Sequence, residues 1–319
     1  MSTVKRILTA SLGASVVAGI VHAAARAKVA RLRAQPDRYS VEELSKEPTG
    51  AETFVERPDG TRLRAISAGE GFPVVLAHGY GCTLLEWNIV WDLLISAGAR
   101  VIAFDQRGHG RSTPGSDGIG AAQMAGDYKA ILEHFDVRDG ILVGHSMGTF
   151  LSIVFLLFQP GFAAERLRGT VLVSPTAGEI TRGAPQNKLQ LPLIQSGVMT
   201  RIMQSETYGP FFGLSLMGDE PSMAMIDAFN PVFLAQDHQR LLPIMIALQE
   251  ESYYSRLGEI RMPLVVVCGD KDKTTPAWHS ERLGSEIPGA RNVWVPGKGH
   301  LLNWEAPEAI VEAIQSLRG

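Results

Sequence analysis

Residues 141–158 read ILVGHSMGTFLSIVFLLF, and the fold turns on how they are divided. Ile141–Val143 is a short apolar run with strand character. Gly144-His145-Ser146-Met147-Gly148 is a G-x-S-x-G pentapeptide, and the residues after it read as a helix. A serine hydroxyl is barely ionised at neutral pH, so it becomes a nucleophile only with help. A sharp strand-to-helix turn lifts the hydroxyl into the open near a helix N-terminus. The flanking glycines are required because a Cβ there would clash in so tight a turn. Ser146 is therefore the candidate nucleophile.

Working outward, a base and an acid should follow later in the chain. Gly299-His300 lies just after the last strand-like run, and an imidazole titrates close to working pH, so His300 is the candidate base. Gly269-Asp270-Lys271-Asp272-Lys273-Thr274-Thr275-Pro276 follows the apolar run Leu264–Cys268 and offers two carboxylates. One of them would hold the imidazole in the correct tautomer and stabilise its cation. The order Ser…Asp…His is one of the known chain orders for this constellation. The backbone N–H of Met147, directly after the nucleophile, is one candidate oxyanion donor. The N–H of Tyr80 in His78-Gly79-Tyr80-Gly81 is the other.

The surrounding chain has a regular rhythm. ETFVER and RLRAISA flank Pro58-Asp59-Gly60, a turn signal between two strands. Apolar runs follow at Val74–Ala77, Val101–Phe104, Ile141–Val143, Thr170–Val173, Leu264–Val267 and Asn292–Val295. Helix-like stretches fall at about 83–97, 119–134, 147–159, 277–287 and 307–317. Short apolar strands alternating with helices predict a mostly parallel sheet covered on both faces. Ligands bind at the carboxyl ends of such strands.

Residues 178–258 break the rhythm. They contain six of the ten methionines (Met199, Met203, Met217, Met223, Met225, Met245) and no convincing strand. This interval reads as a helical cap over the strand ends, its fragments broken by Pro192, Pro210, Pro221, Pro231 and Pro243. Its apolar composition points to a lipophilic ligand.

The first fifty residues differ again. They hold eight basic residues against four acidic ones, a charge of +4, and the rest of the chain carries −7. The net charge of −3 shows no footprint for nucleic acid. Residues 7–25 (ILTASLGASVVAGIVHAAA) carry no formal charge and are about long enough to span a bilayer. Three readings compete: a membrane anchor, an Ala-rich helix on the domain or membrane surface, and a secretory signal cleaved after Ala23-x-Ala25. Arg26, Lys28, Arg31 and Arg33 follow at once and resist export, so membrane association with a cytoplasmic catalytic domain is expected; otherwise the chain is cytoplasmic. Residues 34–50 read as a polar linker. The chain thus divides into residues 1–50 and a catalytic unit over 51–319. Two cysteines, Cys82 and Cys268, exclude a disulfide framework and a four-thiolate zinc site.

Taken together, HGYG at 78–81, FDQRGHGRS at 104–112, GHSMG at 144–148, GDKDKTTP at 269–276 and GKGHLLNWEAP at 297–307 resemble the α/β-hydrolase fold family. The resemblance spans about residues 52–317. It implies an eight-stranded, mostly parallel sheet with helices on both faces and a cap between strands six and seven. It also implies that Asp272 is the acid, with Asp270 the alternative. Asp105, Arg107, His109 and Ser112 are expected to shape a loop, and His78 and His145 to make structural hydrogen bonds. Trp87, Trp91 and Trp304 are expected to pack. A serine at the elbow separates this chain from relatives that use aspartate there. The expected activity is cofactor-independent and metal-independent hydrolysis of carboxylic esters of a lipophilic small molecule. Perhydrolase or haloperoxidase chemistry and carbon–carbon bond hydrolysis remain alternatives on the same residues.

Overall fold

The computed structural model describes residues 3–318, with side chains from Val17 onward. Side chains 7–16 of the apolar N-terminal segment therefore lie outside the described residues. Eight strands form one sheet: β1 (Ala51–Glu56), β2 (Arg62–Ala68), β3 (Pro73–Ala77), β4 (Arg100–Phe104), β5 (Gly140–His145), β6 (Leu167–Val173), β7 (Leu264–Gly269) and β8 (Arg291–Val295). Their order is β1-β2-β4-β3-β5-β6-β7-β8. β2 pairs antiparallel with β1 and β4, and every other pairing is parallel.

The helices are placed by the same sequence. α1 (Thr3–Arg33) and α2 (Val41–Leu44) precede the sheet. α3 (Asn88–Ser96) joins β3 to β4, α4 (Ala121–His134) joins β4 to β5, and α5 (Met147–Phe158) with α6 (Pro160–Arg166) joins β5 to β6. Between β6 and β7 lie α7 (Gln190–Gln195), α8 (Val198–Met203), α9 (Gly209–Ser215), α10 (Met223–Leu234) and α11 (Leu242–Glu250). α12 (Ala277–Glu286) joins β7 to β8, and α13 (Leu302–Glu305) and α14 (Pro307–Gln315) close the chain.

Strand side chains alternate between faces, and each face has its own core. Val74, Leu76, Val101, Ala103, Ile141 and Val143 pack with Trp91 of α3 and Ile310 and Ile314 of α14. Their neighbours Val75, Ile102, Phe104 and Leu142 pack on the other side with Tyr128 of α4 and Phe150 and Leu151 of α5. Both faces are covered, which explains why the central strands are apolar throughout rather than alternating. Trp87, Trp91 and Trp304 are all buried packing residues.

Two expectations need correction. Residues 34–50 are not a free linker. Ser40 and Glu43 form a reciprocal capping box that starts α2. Leu44 is fully buried, and Asn88 Nδ2 donates to the carbonyls of Glu43 (2.8 Å) and Leu44 (3.0 Å). Nor do most cap prolines break helices. Pro210 and Pro243 lie in the first turns of α9 and α11, where a missing N–H costs nothing. Pro231 sits inside α10.

The second half of α1 lies on the cap. Val29 and Leu32 are buried, Arg33 pairs with Asp227 of α10, and the Lys28 ammonium stands 5.5 Å from the centre of the Phe211 ring. Asp37 accepts the Ala224 N–H at 3.0 Å in the first turn of α10. Among the described residues no single helix is long and apolar enough to cross a membrane.

Candidate active site

The site assembles at the carboxyl ends of β5, β7 and β8, with β6 between the first two. β5 runs into Ser146, which sits at φ 51° and ψ −113°, a strained turn for a residue with a Cβ. The close approach explains the glycines. A Cβ on Gly144 would lie 2.5 Å from the Gly148 carbonyl oxygen, and one on Gly148 would lie 2.3 Å from the Ala77 oxygen. The chain then enters α5, so Met147 is its first residue.

His300 arrives from the loop after β8. Its Nε2 lies 2.9 Å from Ser146 Oγ, and its Nδ1 lies 2.8 Å from Asp272 Oδ2. The loop after β7 fixes Asp272 from the other side. Oδ1 accepts the N–H groups of Thr274 (2.8 Å) and Thr275 (2.9 Å), and Oδ2 accepts the Thr275 hydroxyl (2.9 Å). Burial pushes the Asp272 carboxyl up, but His300 and the Thr275 donors outweigh it and leave the group below the usual carboxylate range. Asp270 does not reach this cluster. Its Oδ1 accepts the Gly297 N–H at 2.7 Å, and its side chain is 42% exposed. Ser146, Asp272 and His300 are thus brought together, and Asp270 is left on the rim.

Of the two candidate oxyanion donors, Tyr80 borders the cavity and Met147 follows Ser146 directly in the chain. Gly79, Tyr80, Ser146 and His300 line one cavity. Met147 N–H, at the start of α5, has no intrahelical acceptor. The Tyr80 phenol faces away from this chemistry, lying 3.2 Å from His238 Nδ1, and its ring packs edge-on to Phe233.

His145 makes the structural hydrogen bonds expected of it, and its partner Glu86, which sequence reading missed, joins it in a buried pair that ties the three loops together. Glu86 Oε1 accepts the Gly79 N–H at 3.0 Å and lies 3.1 Å from His145 Nδ1. His145 Nε2 lies 2.9 Å from the His300 carbonyl oxygen. Both imidazole nitrogens face acceptors, so both carry protons and His145 is a cation. Burial pulls its pKa down, but the Glu86 charge reverses this and the net direction is up. Glu86 is driven up by burial and down by His145, and ends below its ordinary value. One carboxylate therefore holds the Gly79-Tyr80 loop, the residue before Ser146 and, through His145, the backbone of His300.

That pair makes a pH-dependent prediction. His145, with its raised pKa, stabilises the fold below its unfolded value, and the contribution disappears as pH rises through the folded value. Glu86, with its lowered pKa, stabilises the fold above its unfolded value, and the contribution disappears as pH falls through the folded one. Glu86→Gln should therefore lower the thermal midpoint most near neutrality, by the equivalent of about 3 kcal/mol. The gap from the parent should narrow at either extreme. A gap independent of pH, measured by thermal unfolding across a pH series, would mean that the pair is not ionic.

The other sequence-singled residues play structural parts. Asp105 accepts the N–H groups of Leu84 and Arg111 at 2.9 Å each, and Arg107 is clamped between Asp59 and Asp127. His78 is kept neutral by burial and accepts the Gln106 N–H at 2.8 Å. Cys82 lines the cavity, but burial raises its thiol well above the usual range.

The Ser146 cavity holds about 80 Å³ and its lining is mostly apolar. The cap supplies Ile194, Met199, Phe212, Phe229, Phe233 and Met245. Of the six cap methionines only Met199 and Met245 line it. A larger crevice of about 560 Å³ adjoins it and shares Gln190, Met199, Phe212, Leu216 and Thr274.

Comparisons with known proteins agree with this architecture. Residues 74–313 match the model of the alpha/beta hydrolase family. A non-heme chloroperoxidase of Kitasatospora aureofaciens is 29% identical over 251 residues, covering 76% of this chain and 90% of that protein. The structure is similar to a bromoperoxidase from Bacillus anthracis, with a TM-score of 0.74, 19% identity, and coverage of 84% of this chain and 99% of that one. It is also similar to an esterase from Exiguobacterium antarcticum, with a TM-score of 0.70, 21% identity, and coverage of 85% and 100%. The family match begins in β3, takes in β4 to β8 and includes every residue of the Ser146–His300–Asp272 cluster, and the chain belongs to the alpha/beta hydrolase family.

Proposed function

We propose that this hydrolase cleaves carboxylic esters or related acyl bonds of a lipophilic small molecule through an acyl-enzyme on Ser146. The observation that carries the reading is the hydrogen-bonded chain from Ser146 through His300 to Asp272, at 2.9 and 2.8 Å. His300 Nε2 takes the Ser146 proton as Oγ attacks the carbonyl carbon. The Tyr80 and Met147 amides receive the developing oxyanion. His300 then gives its proton to the leaving alkoxide, and the C–O bond breaks. Water attacks the ester carbonyl with His300 again as base, and the acid product leaves with Ser146 restored. Asp272 stays ionised throughout and stabilises the imidazolium. The apolar cavity wall supports a lipophilic substrate.

A second reading is supported by the chloroperoxidase relative. Hydrogen peroxide in place of water would release a peracid from the same acyl-enzyme, and the peracid would oxidise halide. Purified enzyme is expected to turn over p-nitrophenyl esters, with kcat/KM changing across acyl chain length. Bromination of a β-diketone in acetate with hydrogen peroxide tests the second reading. Ester turnover without bromination supports hydrolysis alone. Bromination that outpaces ester turnover supports the peroxide reaction. Absence of both, with cleavage of a vinylogous diketone, would replace the reading by carbon–carbon hydrolysis.

A further inference from the structure

Apolar side chains exposed on the surface are concentrated on one part of the molecule. Among the described residues, the exposed large hydrophobics are Val17, Ile20, Val21, Phe158, Leu189, Val198, Ile202, Tyr208 and Trp294. The sheet and its covering helices supply only Phe158 and Trp294. The other seven sit on α1 and the cap, and these two elements touch: His22 Nδ1 lies 3.2 Å from the Tyr208 hydroxyl. Val198 and Ile202 are four residues apart on α8 and share its outer face. Met199 and Met203 are buried on the inner face. An ordinary surface helix would place polar residues where Val198 and Ile202 stand.

The charges around these residues are mostly positive. From Val17 to Arg33, α1 contains Arg26, Lys28, Arg31 and Arg33 and no carboxylate. Residues 180–205, which carry Leu189, Val198 and Ile202, contain Arg182, Lys188 and Arg201 and no carboxylate. Among the described residues, Arg26, Lys28, Arg31, Lys188 and Arg201 are exposed and make no ion pair. Acidic groups are few: Glu206 and Asp227 border the groove under α1 with Arg26 and Arg33, Asp227 is ion-paired with Arg33, and Glu179 pairs with Arg182. Exposed aliphatic groups among an excess of cations match the interface of an anionic bilayer.

This patch also adjoins the way in. Residues 183–199 form one wall of the 560 Å³ crevice, with Leu189 and Leu193 on it. Met199, Phe212 and Leu216 separate that crevice from the Ser146 cavity and line both.

We propose that the face formed by α1 and the α7–α8 part of the cap docks on the surface of an anionic lipid bilayer. The crevice then receives its lipophilic substrate from the lipid side; this last step rests on the serine hydrolase reading. Docking is peripheral: the second half of α1 lies along the cap, and Val29 and Leu32 are buried against protein. The exposed aliphatic groups enter the headgroup boundary, and the cations bind phosphate groups there.

Sedimentation of the full chain with vesicles tests the proposal. Phosphatidylcholine vesicles containing phosphatidylglycerol are expected to carry the protein down, and pure phosphatidylcholine vesicles far less. The double variant Val198→Asp with Ile202→Glu should weaken binding at least about tenfold, because it removes buried aliphatic area and adds two repelled charges. Arg26→Gln with Arg31→Gln should weaken it about fivefold for each cation removed. All these positions are exposed, and thermal unfolding checks that the variants fold. No sedimentation with anionic vesicles overturns the proposal. Loss with the arginine variant but parental binding by the α8 variant overturns the part assigned to the cap. Turnover of a soluble short-chain ester should be unchanged in every variant. If the parent turns over no ester yet binds vesicles, the hydrolase reading fails and the docking surface stands.

Discussion

Replacing Ser146 by alanine is expected to lower kcat for ester turnover by about 10⁴-fold or more, and to abolish covalent labelling by a fluorophosphonate probe. The geometry gives the reason. Ser146 Oγ is the group placed 2.9 Å from His300 Nε2, and the rest of the cavity wall is mostly aliphatic, aromatic or thioether. Cys82 also lines the cavity, but its raised pKa keeps it a thiol and a poor substitute nucleophile. Alanine retains the Cβ that the turn at φ 51° already accommodates, so the fold should survive. Residual activity over water should remain, because the Tyr80 and Met147 amides and the cavity still bind the substrate. Two measurements decide the matter: the single-turnover rate, and the mass of the protein after incubation with the probe. A Ser146→Ala protein that still takes up the label would place the nucleophile elsewhere.

Parts of the site were legible because local chemistry demands particular residues there. Gly144 and Gly148 are required by backbone contacts close to 2.5 Å, and a turn that tight leaves a pentapeptide signature. The strands were legible because both sheet faces are covered, which removes polar residues from their centres. Glu86 was not legible. It lies 59 residues before His145 in the chain, and only the fold brings it to 3.1 Å. A glutamate in a helical stretch reads as a solvated face, so no local signal marked it. α2 was missed for a different reason. Its capping box, Ser40-Val41-Glu42-Glu43, is present in the sequence, but Pro36 and Pro48 on either side made the stretch read as a linker. The cap prolines misled in the same way, because a proline starts a helix as readily as it ends one.

The choice between the two aspartates turned on family pattern in the sequence, and the geometry converts it into a physical claim. Asp272→Asn is expected to cut kcat by about 10⁴-fold, and Asp270→Asn to change it by less than about threefold. In the parent, two backbone amides, from Thr274 and Thr275, converge on Asp272 Oδ1. An asparagine must keep its carbonyl oxygen there, or two donors would face an NH₂ group. Its NH₂ must then occupy the Oδ2 position, 2.8 Å from His300 Nδ1. It can only donate to that nitrogen, so the imidazole proton moves to Nε2. A protonated Nε2 cannot accept the Ser146 proton, and general base catalysis stops. Thr275 Oγ1 accommodates the change, since it can accept from the new NH₂ and donate to the Ser174 carbonyl oxygen at 3.1 Å. The loss should therefore appear in kcat and leave the thermal midpoint nearly unchanged. Asp270 offers a contrast: its Oδ1 accepts one N–H, from Gly297, at 2.7 Å, and an asparagine oxygen serves equally well. Equal losses in the two variants would show that the 2.8 Å contact to His300 is not what sets the tautomer. A larger loss in Asp270→Asn would reassign the acid and require the loop after β7 to rearrange before the enzyme acts.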